Sequence, residues 1–307
     1  MTISVVISTY NGESFIVEQL DSIRMQSKQP NEVLILDDIS SDNTFEIIEK
    51  YIEKYHLEKT WKLSQNRINK GWRRNFVEGM LQAEGDLVFP CDQDDIWECD
   101  KLEILTNIME KNAGINVLTT NCKAFYDNGD VIVRPMPENE ELIHLNPVPN
   151  YFNIKYPGCT YCVRRSYLRK VLKYWQNDYP HDLLLFRFAT FDGTLYSINK
   201  SLIRWRRHSN SSYTKESMES KTLKNKIAWI DFANRFTSSI EEYLKDESYE
   251  SEESIRIIKR TKDWLLNRYT FLNSRRIIKG VKLLKYLDCY PRKRQYLGDW
   301  YLVFVKK

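Results

Sequence analysis

Residues 86–97 read DLVFPCDQDDIW, and this stretch decides the fold. Leu87, Val88 and Phe89 form a short apolar run without polar alternation, as expected of a strand buried on both faces of a parallel sheet. After Cys91 the run breaks into Asp92-Gln93-Asp94-Asp95, three carboxylates within four residues. In open α/β sheets, ligands collect beyond the carboxyl ends of the strands. An acidic turn directly after a buried strand therefore predicts a doubly covered sheet and also the edge at which its chemistry occurs.

Working outward, residues 3–8 (ISVVIS) are a second continuous apolar, β-branched run, closed by the turn-prone Tyr10-Asn11-Gly12. Phe15, Ile16, Leu20, Ile23 and Met25 follow at helical spacing. Glu32 to Leu36 reads as a strand ending abruptly in Asp37-Asp38, and Ser41 or Asp42 can cap a helix over about 44–55. A strand near 61–63, helices over about 72–83 and 101–111, and a strand near 116–120 continue the alternation. Strand–helix alternation at these intervals predicts an α/β fold: a mostly parallel sheet flanked by helices. Asn128-Gly129 signals a hairpin. Five prolines between 134 and 157 suggest a long loop over the active-site mouth. Helical periodicity then dominates over 221–244, 253–273 and a basic stretch at 275–287. The expected organisation is a catalytic domain over 1–215 and a helical basic region over 216–307.

The chain has 307 residues, with 42% apolar and 29% charged side chains, a balance able to bury a large core. Its net charge of +4 hides an asymmetry. Residues 1–200 hold 22 Lys+Arg against 29 Asp+Glu, whereas residues 201–307 hold 24 against 13. The basic third therefore faces something anionic. Residues 256–307 carry 15 Lys+Arg and three Asp, with Ile257, Ile258, Leu265, Tyr269, Leu272, Ile277, Ile278, Val281 and Leu284 at helical spacing. A basic amphipathic segment of this kind suits an anionic membrane surface; packing on the core or on a second subunit, as in a homo-oligomer, is the alternative. Nucleic acid fits poorly, because the rim of the main domain is acidic. The amino terminus opens straight into a strand, without the basic and small-residue flanks of a signal peptide, and no apolar stretch is long enough to span a bilayer. A cytoplasmic location is expected, peripheral on the inner face of the cell membrane. Six cysteines point to reduced thiols, and Cys159-Thr-Tyr-Cys162 lacks the second pair a zinc site needs. Thirteen per cent aromatics serve equally to stack on sugars or to fill a core.

Three predicted strands end in polar or acidic residues, so Asp37, Asp38, Asp92, Asp94 and Asp95 converge on one rim. Carboxylates gathered this closely repel unless a cation or hydrogen-bond donors neutralise them. Helix capping accounts for one acid per site but not for three in four residues. Hard carboxylate oxygens suit Mn²⁺ or Mg²⁺, held through one or two protein acids plus substrate phosphates.

With VVISTYNGESFIVEQLDSIRMQS, VLILDDISSDNT, NKGWRRNF, AEGDLVFPCDQDDIWECDKL, HDLLLF and WRRHSNSS in this order over residues 3 to about 213, the chain resembles the inverting family 2 glycosyltransferases with the GT-A fold. The DQDDIW form is similar to the rhamnosyltransferase-like branch that builds O-antigen and capsule. The resemblance implies transfer of a sugar from a nucleotide-diphosphate donor, a UDP- or dTDP-sugar, to a glycan or polyprenyl-linked glycan. It implies that Ser8 and Tyr10 line the nucleotide pocket, Tyr10 against the pyrimidine, and that Asp38 accepts from the pyrimidine N–H. Asp92 and Asp94 match the D-x-D element, with Asp94 as main metal ligand. Asp182 matches the general base, and His208 a histidine that ligates the metal or touches the diphosphate. Read from the residues alone, Asp182 serves equally as an N-cap, and His208 as part of a solvated basic turn beside Arg204, Arg206 and Arg207. Arg74 lies where it can reach a phosphate, or stands as a surface arginine. Two departures are visible: Cys99 replaces a usual proline, and Leu183 and Leu184 stand where relatives place tryptophans, which is expected to alter acceptor shape. Nucleotidyl transfer, a rival chemistry, needs a basic Gly-rich loop after the first strand, and Thr9 to Glu13 contain no Lys or Arg. A carbohydrate-binding protein with a decayed site is the non-enzymatic rival; retention of every acid at the rim argues against it.

Overall fold

The computed structural model describes residues 1–126, 136–208 and 222–306, with residues 131–132 described by backbone alone. The turn at Asn128-Gly129, the end of the WRRHSNSS motif and the expected boundary near 215 lie outside the described residues. The chain forms two compact units. The first comprises 1–145, 156–189 and 193–208; the second takes in 146–155, 190–192 and the helices from 222 onward.

In the first unit the strands are β1 (Ile3–Thr9), β2 (Glu32–Asp37), β3 (Trp61–Gln65), β4 (Leu87–Asp92), β5 (Ile96–Trp97), β6 (Val117–Phe125), β7 (Val131–Ile132), β8 (Leu142–His144), β9 (Cys162–Arg164) and β10 (Leu195–Arg206). They form one sheet in the order β3-β2-β1-β4-β9-β6-β10-β5, with β7 on β6 and β8 on β10. The β3-β2-β1-β4 half is parallel throughout. Beyond it the sheet is mixed, because β9 enters antiparallel between β4 and β6, whereas β10 pairs parallel with β6. Helices α1 (Ile16–Arg24), α2 (Thr44–Lys54), α3 (Trp72–Gln82), α4 (Lys101–Lys111), α5 (Arg165–Val171) and α6 (His181–Phe191) complete this part of the chain. Every residue of β2 and nearly every residue of β1 is buried, as continuous apolar runs covered on both faces require. Ile16, Leu20 and Ile23 of α1 join the same core, whereas Met25, grouped with them by spacing, caps the helix and is exposed. At α2 the N-cap position is Asn43 and not Ser41 or Asp42; Asp42, just before it, accepts from the backbone N–H and the hydroxyl of Thr44.

The segment 134–157 is not simply a loop over the site. Its β8 pairs with Tyr196–Ile198, at the amino end of β10 and thus opposite the acidic rim. Glu138 accepts from the backbone N–H of Ser201, at 2.8 Å, and from its hydroxyl, where β10 breaks register with β6. Its carboxylate satisfies the bulge.

The second unit is helical: α7 (Leu223–Asp246), α8 (Glu252–Ser274), α9 (Ile277–Lys282) continued by a 3₁₀ turn (Leu283–Tyr286), and α10 (Arg294–Phe304). Thr222 and Ser251 cap α7 and α8 through side-chain oxygens. The core holds Trp264, Phe271, Leu272, Leu283 and Tyr290, and Phe152 packs edge-on against Trp229. Arg268 is buried against Asp299 through two hydrogen bonds of 2.7 and 2.8 Å. No described helix is long and apolar enough to cross a membrane.

Candidate active site

Parallel register builds the rim. Ser8 stands level with Leu36 on one side and Asp92 on the other, and Thr9 with Asp37, so the ends of β1, β2 and β4 form one ledge. Asp37 is fully buried and structural, accepting from the Ser40 N–H at 2.9 Å and from Gln65 at 3.0 Å. Asp38 is buried also. Its Oδ1 accepts from Asn66 and the Lys70 N–H, both at 2.8 Å, and its Oδ2 accepts from the Gly71 N–H at 2.7 Å. Three donors leave one lone pair on Oδ2, so Asp38 holds the 66–71 loop while keeping limited capacity for a ligand. The Ser8 hydroxyl accepts from Asn75 at 2.8 Å. The Tyr10 ring is exposed, while its backbone is held at both polar atoms by Gln93, at 2.9 and 3.0 Å. Arg74 is half-exposed and bonded to Glu78 one turn along its own helix, at 2.6 Å, with Lys70 on the same carboxylate.

With Gln93 tied to the first loop, Asp92 and Asp94 stand on either side of it. Asp94 Oδ2 lies 2.7 Å from His208 Nε2. That contact spans 114 positions and is delivered by β5, which turns back antiparallel onto Ile203 and Arg204 of β10. Arg206, at the end of β10, secures the acidic turn. Its Nε donates to the Asp94 carbonyl at 2.8 Å and its backbone N–H to Asp95 Oδ1 at 3.0 Å, while its guanidinium pairs with Glu18. Phe15 packs on His208 with ring centroids 4.9 Å apart.

Asp95 is fully buried, and its Oδ2 accepts from no N–H or O–H group. Asp92, Asp95 and Cys159 bring their candidate ligand atoms within 4.8 Å of one another, the one such cluster of three among the described residues. The metal set expected from sequence is thus divided. Asp94 and His208 meet directly, whereas the Asp92 carboxylate faces Asp95 and a thiol that sequence reading left as an ordinary buried cysteine. Cys159 is free and its thiol is pushed well above its usual range by burial. Burial, then Asp94 and then Asp182, raise the Asp92 carboxyl far above the usual carboxylate range, and burial with Asp94 and Asp92 does the same to Asp95. The compensating cation is Lys101, also missed. It is fully buried, donates to the Cys159 carbonyl at 2.9 Å and lies 3.2 Å from the centroid of the Trp97 ring. Burial pulls its ammonium down to about 8. Its one signal in sequence is a lysine opening an amphipathic helix, which ordinarily reads as solvated.

Asp182 sits in the first turn of α6, partly exposed, and accepts from the Leu183 N–H at 2.7 Å. Its Cβ lies against Gly158, whose neighbour Cys159 clusters with Asp92 and Asp95, and its charge raises Asp92 and Tyr161 alike. The start of α6 needs a glycine opposite: a Cβ on Gly158 would fall 2.8 Å from His181 Nε2 and 2.9 Å from the Asp182 Cβ. His181 is buried with both ring nitrogens unpartnered, its ring tilted against Phe76 with centroids 4.4 Å apart, and burial lowers it to about 3. It is therefore neutral beside Asp182. Leu183 and Leu184 are both buried, so they fill the core and do not shape an acceptor surface. Cys99 is exposed just before α4, and its carbonyl accepts from the Ser27 N–H.

The residues present fit a divalent ion. Asp94 and His208, hydrogen-bonded at 2.7 Å, bring a hard oxygen and an imidazole nitrogen together, a donor pair for a divalent ion once the shared proton is lost. Asp92 and Asp95, held in proximity with one buried ammonium among them, gain from added positive charge.

Residues 4–173 match the family described as glycosyl transferase family 2, more than half of the chain. The chain belongs to that family and is a glycosyltransferase enzyme. It is similar to the dTDP-rhamnosyl transferase RfbG of Shigella flexneri, 29% identical over 215 residues that cover 66% of this chain and 72% of that protein. It is similar also to the abequosyltransferase RfbV of Salmonella typhimurium, 26% identical over 78% of this chain and 76% of the other. Among solved structures, TarS 1–349 of S. aureus in complex with UDP-GlcNAc shares the fold with a TM-score of 0.61, at 19% identity, over 97% of this chain and 81% of that one.

Proposed function

We propose that the protein transfers a sugar from a pyrimidine nucleoside-diphosphate donor to a hydroxyl of a cell-surface glycan or its polyprenyl-linked precursor, inverting the anomeric carbon. The observation that carries this reading is that the Asp182 Cβ lies against Gly158, and the next residue, Cys159, clusters with Asp92 and Asp95. The donor-phosphate acids and the candidate base thus share one rim. In the reaction, the acceptor oxygen attacks the anomeric carbon from the face opposite the diphosphate. The C–O bond to phosphate breaks with its electron pair on the leaving diphosphate, and the hydroxyl proton passes to Asp182. Tyr10 offers an exposed ring to the pyrimidine, Ser8 and the remaining Oδ2 lone pair of Asp38 offer polar contacts, and Arg74 on its helix is the weakest member of this set. Asp94 and His208 would hold Mn²⁺ or Mg²⁺, and Asp92, which faces Asp95 and Cys159, is the further acid expected of the set. When bound, that ion supplies positive charge to the departing diphosphate. RfbG is named for a dTDP-linked sugar, and TarS was solved with UDP and UDP-GlcNAc, which supports a pyrimidine donor without choosing between them.

The test is a panel of UDP- and dTDP-sugars scored by metal-dependent thermal stabilisation, followed by donor hydrolysis by wild-type protein and Asp182→Asn. Asparagine keeps the size of Asp182 and its acceptor for the Leu183 N–H. Loss of a general base costs about 10²–10⁴-fold, so turnover should fall at least a hundredfold with donor affinity and melting temperature near normal. Wild-type turnover in Asp182→Asn would place the base elsewhere.

A further inference from the structure

Besides its buried core, the helical unit exposes apolar side chains on two of its helices. On α9 and its 3₁₀ extension, Ile277 and Ile278 are 64% and 65% exposed, and Val281 and Leu284 are exposed by half. At 100° per residue these four lie on one arc, shared with Lys282 and Lys285. The opposite arc holds Gly280 and Leu283, both buried. A Cβ on Gly280 would fall 2.4 Å from Trp300 and 2.7 Å from Phe271, so close packing on α10 and α8 fixes which way α9 faces. α10 repeats the arrangement. Leu297, Tyr301 and Phe304 are exposed at spacings of four and three residues, with Arg294 on their arc, while its acid Asp299 is buried against Arg268 and the Tyr290 hydroxyl. A surface helix ordinarily leaves its outer face polar, whereas these two carry apolar side chains on the outer face as well as the inner one. Exposed apolar side chains gathered on two helices that pack together at Gly280 and Trp300 mark an interaction surface.

The charge around the patch is of one sign. Between 275 and 306 the acids are Asp288 and Asp299, and both are already paired, Asp288 with Arg260 at 2.7 Å and Asp299 with Arg268. Arg275, Arg276, Lys282 and Lys285 beside α9, and Arg292, Lys293 and Arg294 leading α10, form no ion pair among the described residues. A second copy docking face to face would bring these cations against each other. A phosphate backbone would answer the charge but leave the aliphatic side chains in water. A bilayer rich in anionic phospholipid answers both, since its headgroups take the cations and its acyl boundary takes Ile277, Ile278, Leu297 and Tyr301.

We infer that α9 and α10 form a platform that seats the enzyme on an anionic phospholipid surface, aliphatic side chains inserted and basic side chains on the headgroups. The experiment is co-sedimentation of the full chain with vesicles of phosphatidylcholine alone, or of equal parts phosphatidylcholine and phosphatidylglycerol. Binding is expected to the second and not the first, and about 1 M NaCl should release the protein by shortening the Debye length to about 3 Å. Lys282→Gln, Lys285→Gln and Arg294→Gln together should lower partitioning about a hundredfold, near fivefold for each charge. Ile278→Ser, Leu297→Ser and Tyr301→Ser should lower it while leaving the charge intact. These positions are exposed and remote from the acidic rim in sequence, so the melting temperature and vesicle-free donor hydrolysis should hold. Equal binding to both vesicles, or binding to neither, overturns the platform. So does a wild-type dimer in sedimentation velocity that the serine variant dissociates without lipid, since the face would then be a contact between copies.

Discussion

Two buried acids in this molecule have opposite surroundings. Asp299 in the helical unit is fully buried and fully answered, with both carboxylate oxygens on Arg268 and the Tyr290 hydroxyl added at 3.1 Å. Asp95 at the rim is equally buried, yet one oxygen accepts from no N–H or O–H group, and Asp92 and Asp94 raise its carboxyl further. An acid with a bidentate guanidinium serves the fold, because its charge is already matched by a buried cation. Acids brought together with less than their own charge in cations are held at a cost, and a divalent ion can relieve it. The imbalance of charge, more than the number of acids, separates the site from the scaffold.

That contrast can be broken most forcefully at Arg268. Arg268→Met leaves Asp299 buried without its cation and should cost about 3–5 kcal/mol of stability, read as a lowered urea midpoint at unchanged slope. Added Mn²⁺ should not restore it. A variant with wild-type stability would mean that the pair is not structural.

A buried but uncompensated base gives the next effect. His181 titrates near 3 in the folded chain and near 6.5 unfolded. Between these values the unfolded state binds more protons, so stability is complete above about pH 6.5 and declines as pH falls toward 3. Linkage at 1.36 kcal/mol per unit makes the loss roughly 3 kcal/mol at about pH 4. Stability–pH curves of wild type and His181→Leu should therefore diverge below pH 6.5; parallel curves would show that the imidazole is hydrated.

The smallest of the three effects sharpens the rim itself. Asp94→Ala should leave the urea midpoint almost unchanged, while weakening the Mn²⁺-dependent affinity for UDP or dTDP by at least about tenfold, the lower bound for outer-shell partners of a metal. Calorimetry with and without metal separates the two. Unchanged metal dependence would remove Asp94 from the ligand set.

Much of the first half of the fold was legible locally. β1, β2 and β4 are buried on both faces, so their apolar runs needed no partner to be recognised, and Asp37-Asp38 and Asp92 to Asp95 follow directly where those runs stop. α10 was not seen, because its outward apolar face and buried Asp299 contradict the pattern by which surface helices are read. The 134–157 segment read as loop because the three residues of β8 are too short to show a period.

The sequence by itself therefore determined the parallel ledge and the acids standing on it, because a strand buried on both faces and a turn after it are properties of adjacent residues. Only the tertiary structure decided which side chains complete the site. His208 reaches Asp94 through β5 returning onto β10, Cys159 comes within 4.8 Å of Asp92 and Asp95, and Lys101 is drawn beneath the acidic turn onto the Cys159 carbonyl. Those contacts join positions 58 to 114 residues apart. Pairing at such separation is set by how whole elements pack, which local residue patterns do not encode.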